Sequence, residues 1–435
     1  MRDHQFSCIL RLATALALIL ASIPAAATTH VVAPDGSGDF PTIQAAIDAA
    51  ADGDTVELTD GLFTGEGNRD LDYAGKALLL LSQSGDPDAC VIDCEGSAAD
   101  PHRGVQFRNG EPQGAQLRDV TIRGGWVSHP QVGSAIHCGD GCAPQIIGCV
   151  IATSAGSAVS CGNGSAPRFT DCDFTTNQGL YGGALHGEHC TLLLDGCTFR
   201  ENVAEAVAGA LFAYDADVGL TDCQFIGNTA RREAAVTCTD FSTAQIEDCW
   251  FADNVASASG AALTFWLSGP NLVESCTFTG NRSAGEGAAI WSEKISDTEV
   301  RGCTFWGNAS PDATVLAGNQ RFVLENCVVA FAAEGPGVAS HYDYAELSCC
   351  DVFGNAGGDW VGAIEDQLGQ RGNICEDPLF CDPEAGDFQI DCLSPCAPFS
   401  PPNPECDRIG AWPVGCGGSP ARVTSWGAVK AAFGR

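Results

Sequence analysis

Positive charge is the first thing this 435-residue chain lacks. It has 21 Lys+Arg against 55 Asp+Glu, a formal net charge of -34, and its only lysines are Lys76, Lys294 and Lys430. Such a surface repels nucleic acid and anionic membranes, so neither is expected as a partner. It also argues against an anionic substrate bound without help, unless Ca²⁺ bridges the two. Long apolar runs are the second lack: past Ile23 none approaches the ~18 residues of a membrane span, which excludes a transmembrane helix there. Glycine-rich phosphate loops, EF-hand loops, glycine-rich calcium nonapeptides and nucleophile triads are also missing. No cofactor is therefore identified, and Ca²⁺ stays open only as a bridging cation.

Residues 1–27 have the pattern of a secretory signal peptide. Arg2 and Arg11 flank a short polar start, Leu12 to Ile23 form the apolar stretch, and Ala25-Ala26-Ala27 offers a cleavage site. Removing Arg2, Arg11 and Asp3 leaves 19 minus 54, or -35. The chain has 24 cysteines. With an export signal these point to disulfides and buried thiols rather than to cytosolic metal or redox chemistry. Loss of Cys8 leaves 23, an odd number, so at least one thiol stays free or pairs between chains.

A unit Cys-x-Phe-x-x-Asn then dominates the middle of the chain. It begins at Cys172, Cys197, Cys223, Cys249, Cys276 and Cys303, with degenerate copies at Cys149, Cys327 and Cys350. The cysteines advance by 23, 25, 26, 26, 27, 27, 24 and 23 residues, the period of a solenoid. Just before each cysteine stands Gly148, Asp171, Gly196, Asp222, Asp248, Ser275, Gly302, Asn326 or Cys349, in register with Asp119. Asp, Asn and Gly dominate there, which predicts a one-residue left-handed bend between two strands. After the bend, Cys and Phe two apart share the inward face. Stacked coils thus give a Phe file, a file of buried Cys thiols and an Asn ladder.

A third strand is marked by Gly133-Ser-Ala-Ile136 and its later counterparts at Ala158-Val159, Ala184-Leu185, Ala210-Leu211, Ala235-Val236, Ala262-Leu263 and Ala289-Ile290. Parallel crossovers then favour right-handed winding. Ahead of the repeats, Thr42 is placed to cap a helix whose Ile43, Ala46, Ile47 and Ala50 share one face, suited to covering the open end. The fold predicted is all-β: a single-stranded right-handed parallel β-helix of about ten or more coils, with an N-terminal capping helix and a disulfide-rich C-terminal cap.

The stretch Ala33-Pro-Asp-Gly-Ser-Gly-Asp-Phe40 with Thr42-Ile-Gln-Ala-Ala-Ile-Asp48 resembles the entry segment of pectin-lyase-like β-helix proteins, pectin methylesterases among them. The repeats resemble those of chlamydial polymorphic outer-membrane proteins. The likeness covers roughly residues 31–413. It implies the fold and an extracellular or outer-surface location. The catalytic elements of pectin methylesterases (Gln-Asp-Thr-Leu) and of polygalacturonases (Gly-His-Gly, Arg-Ile-Lys) do not occur in this sequence.

Four regions follow: the leader at 1–27, the β-helix with its N-terminal cap at 28–371, a Cys-rich C-terminal cap at 372–418, and a tail at 419–435 with the makings of a sorting or docking segment. Cys375, Cys381, Cys392, Cys396, Cys406 and Cys416 fall in the cap, and six cysteines allow 15 pairings.

Register also gathers polar residues beside the third strand. Four residues past its first inward position stand His189, Asp215 and Asp240, and three past it Glu188, Tyr214, Trp266 and Glu293. One past it, at positions expected to be exposed, are His137, His186, Phe212 and Trp291. Coils ~4.8 Å apart would bring Glu188, His189, Asp215 and Asp240 into one acid/base group. Carboxylates one coil apart would suit a retaining glycosidase, and two coils apart an inverting one. His137, His186, Phe212, Tyr214, Trp266 and Trp291 would line a sugar-binding surface. The competing reading is turn chemistry, because Asp, Asn and His also favour left-handed bends. His137-Cys138-Gly-Asp-Gly-Cys142 with Cys161 reads as a structural turn rather than a zinc site, so no metal ligand is assigned.

The function expected is a secreted or cell-surface protein that binds extracellular polysaccharide or acts as an adhesin. The alternatives are a polysaccharide lyase, glycoside hydrolase or pectinesterase-like enzyme, and a purely structural solenoid. A monomer is expected, whose partner is a glycan or another cell-surface component.

Overall fold

The computed structural model describes residues 27–416, apart from Asn319 and Asp343. Residues 1–26 of the expected leader and the tail at 419–435 lie outside the described residues. Among those described, no helix is long and apolar enough to cross a membrane.

The chain winds into an all-β parallel solenoid of about 12 turns. Each full turn contributes one strand to each of three long parallel sheets. Sheet A has 13 strands, from Thr29–Val32 to Ala345–Ser348. Sheet B has 12, from Gly61–Phe63 to Asp351–Phe353, and sheet C has 11, from Leu71–Asp72 to Val338–Ser340. A fourth sheet of 5 short strands, Gln178–Tyr181 through Arg282–Ser283, forms between B and C. It was not foreseen, because a three-strand coil leaves those residues in a turn.

The A-to-B bend follows the sequence closely. Asp119, Gly148, Asp171, Gly196, Asp222, Asp248, Ser275, Gly302, Asn326 and Cys349 all have positive φ, between 49° and 65°. Past the bend, Phe174, Phe199, Phe225, Phe251, Phe278 and Phe305 are fully buried. Their rings stack at centroid spacings of 4.3 to 4.9 Å, within 10° of parallel. Burial of one such ring contributes on the order of 2 to 3 kcal/mol from area alone.

The Asn ladder closes the same corner. Asn202, Asn228, Asn254 and Asn281 each donate Nδ2–H to the Oδ1 of the next Asn at 2.9 to 3.0 Å and to a Phe carbonyl at 2.9 to 3.0 Å. The cysteine file is buried thiol: from Cys149 to Cys350, each Sγ–H donates to the carbonyl two residues earlier at 3.2 to 3.5 Å. Burial pushes the Cys149 thiol up to about 12, far from a reactive thiolate.

The N-terminal end is covered as the pattern required. Helix Ile43–Ala49 is capped by Thr42 and buries Ile43, Ala46 and Ile47. At the other end, Trp360 and Ile364, the latter in the 3₁₀ turn Gly362–Gln367, join the core. The Cys-rich segment takes part in two disulfides and extends well beyond an end cap. It runs back along the outer face of sheet B, where Phe388 packs on Trp250 and Trp306. Trp412 Nε1 donates to Thr277 Oγ1 at 2.9 Å, across a sequence separation of 135.

One disulfide, Cys381–Cys416, lies within the group of six cysteines. The other, Cys349–Cys406, ties the segment to the last left-handed bend, so counting pairings within the six alone missed it. Cys375, Cys392 and Cys396 keep free thiols. The disulfides mark a chain matured in an oxidising environment.

Candidate functional site

Sheet C sets the outward positions in register. His137, Ser160, His186, Phe212, Thr237, Thr264 and Trp291 are neighbours across successive strands. Gly162, Glu188, Tyr214, Thr239, Trp266 and Glu293 form the row beside them. The row was thus legible, but its exposure is uneven. Trp291 was expected to be exposed and is only 6% so, packed with Ala313 and Leu316 and edge-on to Trp266 at 5.5 Å. Thr237 and Thr264 are buried as well. Glu233, in the turn leading into its strand, folds over the sheet and accepts the Thr237 hydroxyl at 3.3 Å. Burial raises the pKa of Glu233, against the pull of Arg232. The face is therefore partly open at His137, His186 and Phe212, closed at Ser160, which is 3% exposed, and sealed beyond Phe212.

The bend that follows sheet C is left-handed too. Asn163, His189, Asp215, Asp240, Leu267 and Lys294 have φ of 43° to 55°. Turn geometry accounts for the run of Asn, His and Asp there, while the side chains still meet outside the coil. His189 Nδ1 lies 2.8 Å from Asp215 Oδ2, and His189 Nε2 lies 3.7 Å from Glu188 Oε1. Glu188 Oε2 in turn approaches His186 Nε2 at 4.0 Å. Asp240 is not part of this group: its Oδ2 accepts the Thr239 hydroxyl at 2.7 Å. Because a carboxylate only accepts, Asp215 fixes the hydrogen on Nδ1 of His189 and leaves Nε2 for proton exchange.

Aromatic rings surround the group. The His189 ring is edge-on to Tyr214 at 5.7 Å, and Phe212 sits 5.4 Å from His186 and 5.5 Å from Tyr181. Burial lowers the His186 pKa, which favours the neutral ring. Further along the rim, Lys294 lies over the Trp266 ring at 5.1 Å, and Glu293 meets His341 at 3.4 Å. A shallow depression of about 330 Å³ beside His189 and Asp215 is also lined by Gly164, Thr191, Asp217 and Phe241.

Phe241 was missed. It has φ 70°, directly after left-handed Asp240, and is 80% exposed. The signal was a one-residue insertion: Leu211 to Asp217 is seven residues, whereas the equivalent Val236 to Thr243 is eight. The extra residue leaves the coil. Among the described residues, no group of three His, Cys, Asp or Glu side chains is arranged to hold a metal ion.

Residues 103–294 match the family model for the right handed beta helix region. No sequence among the curated proteins matches the chain. Among solved structures it is similar to a rhamnogalacturonan lyase, at 11% identity and a TM-score of 0.40, covering 74% of this chain and 87% of that one. It is also similar to a PL6 family alginate lyase and to a point mutant of it, each at 9% identity, with TM-scores of 0.40 and 0.45. Those pairings cover 81% and 80% of this chain but 54% of the alginate lyase, so the chain spans about half of that protein's length.

Proposed function

We propose that this is an extracellular polysaccharide-binding solenoid whose glycan lies along the open part of sheet C and its rim. The observation that carries this reading is the row of rings, His186 and Phe212 on the face with Tyr214 and Phe241 at the rim, set at coil spacing beside Glu188, His189 and Asp215. Rings stack on the apolar faces of sugars, and carboxylate and imidazole groups take the hydroxyls. An adhesin-like role at a cell surface would use the same face. A glycan array with the full chain tests the proposal: retained sugar supports it, and no retained sugar removes it.

The second reading is a polysaccharide lyase or glycoside hydrolase. It is favoured by the His189–Asp215 hydrogen bond of 2.8 Å with Glu188 on the other side of the ring. In that reading His189 Nε2 exchanges the proton and Glu188 is the partner acid or base. Asp240, held by Thr239, would serve binding rather than proton transfer. Assays of unsaturated ends and of reducing sugar on uronate and neutral polymers separate this enzyme from a binder.

A further inference from the structure

The net charge of -34 averages over the whole surface, and the N-terminal end of the sheet C face departs from it. Four arginines of the N-terminal half take carboxylates: Arg69 with Glu95, Arg108 with Asp72, Arg123 with Asp93, and Arg200 with Asp173. Arg103 does not, although acidic side chains are abundant. Its Nε donates to the Gly133 carbonyl at 3.1 Å, and its Nη2 reaches the Val132 carbonyl at 3.4 Å and Gln131 Oε1 at 3.5 Å. The nearby Asp70 carboxylate is engaged otherwise, by the Arg103 backbone N–H at 2.8 Å and by His102 Nδ1 at 2.6 Å. With neutral acceptors in contact and only the longer-range pull of Asp70 opposing it, the guanidinium remains available to a further anion.

That charge stands beside the face. Gly133, whose carbonyl Arg103 holds, packs so closely on Ser160 that an added β-carbon would lie 2.3 Å from Ser160 Oγ. Ser160 Oγ is 2.7 Å from His137 Nδ1. His137 Nε2 lies on the side of Gly139, where the backbone of Arg108 also approaches. Burial, then the charges of Arg103 and Arg108, lower the His137 pKa against the opposing pull of Asp140. Two guanidiniums are thus close enough to be felt at one imidazole. One of them, Arg108, is already neutralised by Asp72 at 2.7 Å.

We propose that Arg103 and His137 form a subsite for the anionic group of an acidic sugar, a uronate carboxylate or a sulfate ester, at the N-terminal end of the glycan face, with the buried Ser160 fixing the His137 ring through Nδ1. The proposal rests on the reading of sheet C as glycan-binding and gives that reading a polarity. The charged unit sits at Arg103, and uncharged units run over His186, Phe212 and Tyr214 toward the carboxylates of Glu188 and Asp215. No bridging cation is needed at Arg103, which removes there the objection raised by the net charge.

Calorimetric titration of the full chain with three hexasaccharides tests this: cellohexaose with one terminal unit oxidised to glucuronate, cellohexaose with one terminal sulfate ester, and neutral cellohexaose. One of the two acidic ligands is expected to bind at least about tenfold more tightly than the neutral one, and which of them does so identifies the anion. Arg103→Gln should remove that advantage without weakening cellohexaose, and Arg103→Lys should retain part of it. Sodium sulfate should compete with the acidic ligand more strongly than sodium chloride at matched ionic strength, a test that needs no variant. Equal binding of acidic and neutral ligands, or an advantage that survives Arg103→Gln, overturns the subsite alone. Failure of all three ligands to bind overturns the subsite together with the glycan reading.

Discussion

Asp215 lies one coil beyond His189, and its Oδ2 accepts the His189 Nδ1–H at 2.8 Å. Both side chains are about half exposed. An exposed pair of this kind contributes only roughly 0 to 1 kcal/mol to stability. Asp215→Asn with Asp240→Asn should leave the melting temperature nearly unchanged, because Asn tolerates the left-handed φ of 46° and 50° at these bends. It should lower glycan affinity or, for any polymer the chain cleaves, lower turnover by about 100-fold or more. Turnover that survives the double substitution moves the chemistry away from this group.

The Phe file makes a complementary prediction about the core. Phe251 stacks on Phe225 and Phe278 at 4.9 and 4.8 Å and has no exposed surface. Phe251→Ala removes two stacking contacts and leaves a cavity that the rigid coils cannot close. A loss of about 3 to 5 kcal/mol is expected in denaturant unfolding. A shift near zero would mean that the file does not carry the core.

Much of the coil was readable in the sequence because its geometry repeats. The left-handed bend recurs at ten positions from Asp119 to Cys349 and the Phe file at six, with the Asn ladder beside it, because each needs a restricted set of residues at one point of a turn. The candidate site was only partly readable. Spacing placed Glu188, His189, Tyr214 and Asp215 side by side, but it could not report that Glu233 folds over the sheet or that Trp291 is buried beneath neighbouring turns. Nor could it show that the Cys-rich segment returns along sheet B, because Trp412 and Thr277 meet only through the three-dimensional path of the chain. Arg103 carries no repeat signature at all.

Asp351 gives a pH prediction for that returning segment. It points out of sheet B and is fully buried, with Oδ1 accepting from Glu376 N at 3.1 Å and Oδ2 from the Cys396 thiol at 3.2 Å. Burial, opposed by these hydrogen bonds and reinforced by Glu376 and Asp359, raises its pKa from 3.8 to about 7. The folded form holds the proton more tightly than the unfolded form. Stability from this group therefore falls as pH rises from about 4 to about 7 and is level outside that window, a loss on the order of a few kcal/mol. Asp351→Asn should raise the melting temperature at pH ~8 and make little difference near pH ~4. An equal effect at both values would contradict the raised pKa.

The Cys349–Cys406 disulfide closes a loop with a sequence separation of 57. On chain entropy, its removal should cost about 4 kcal/mol. Because Cys406 belongs to the returning segment and Cys349 to the last bend of the solenoid, the loss should show first as hydrogen exchange in 387–412, ahead of the coils. Simultaneous exchange of the segment and the Phe file after Cys406→Ser would mean that the two unfold as one unit.

The central claim is that glycan lies along the open face of sheet C, and hydrogen exchange of the full chain with and without a bound hexasaccharide tests it most directly. Protection is predicted in the strands Ile136–Cys138, Leu185–Glu188 and Leu211–Tyr214 and at the bends holding His189 and Asp215. Strands of sheet A, such as Thr243–Glu247, should be unchanged. Protection confined to sheet A or to the Cys-rich segment would contradict the account.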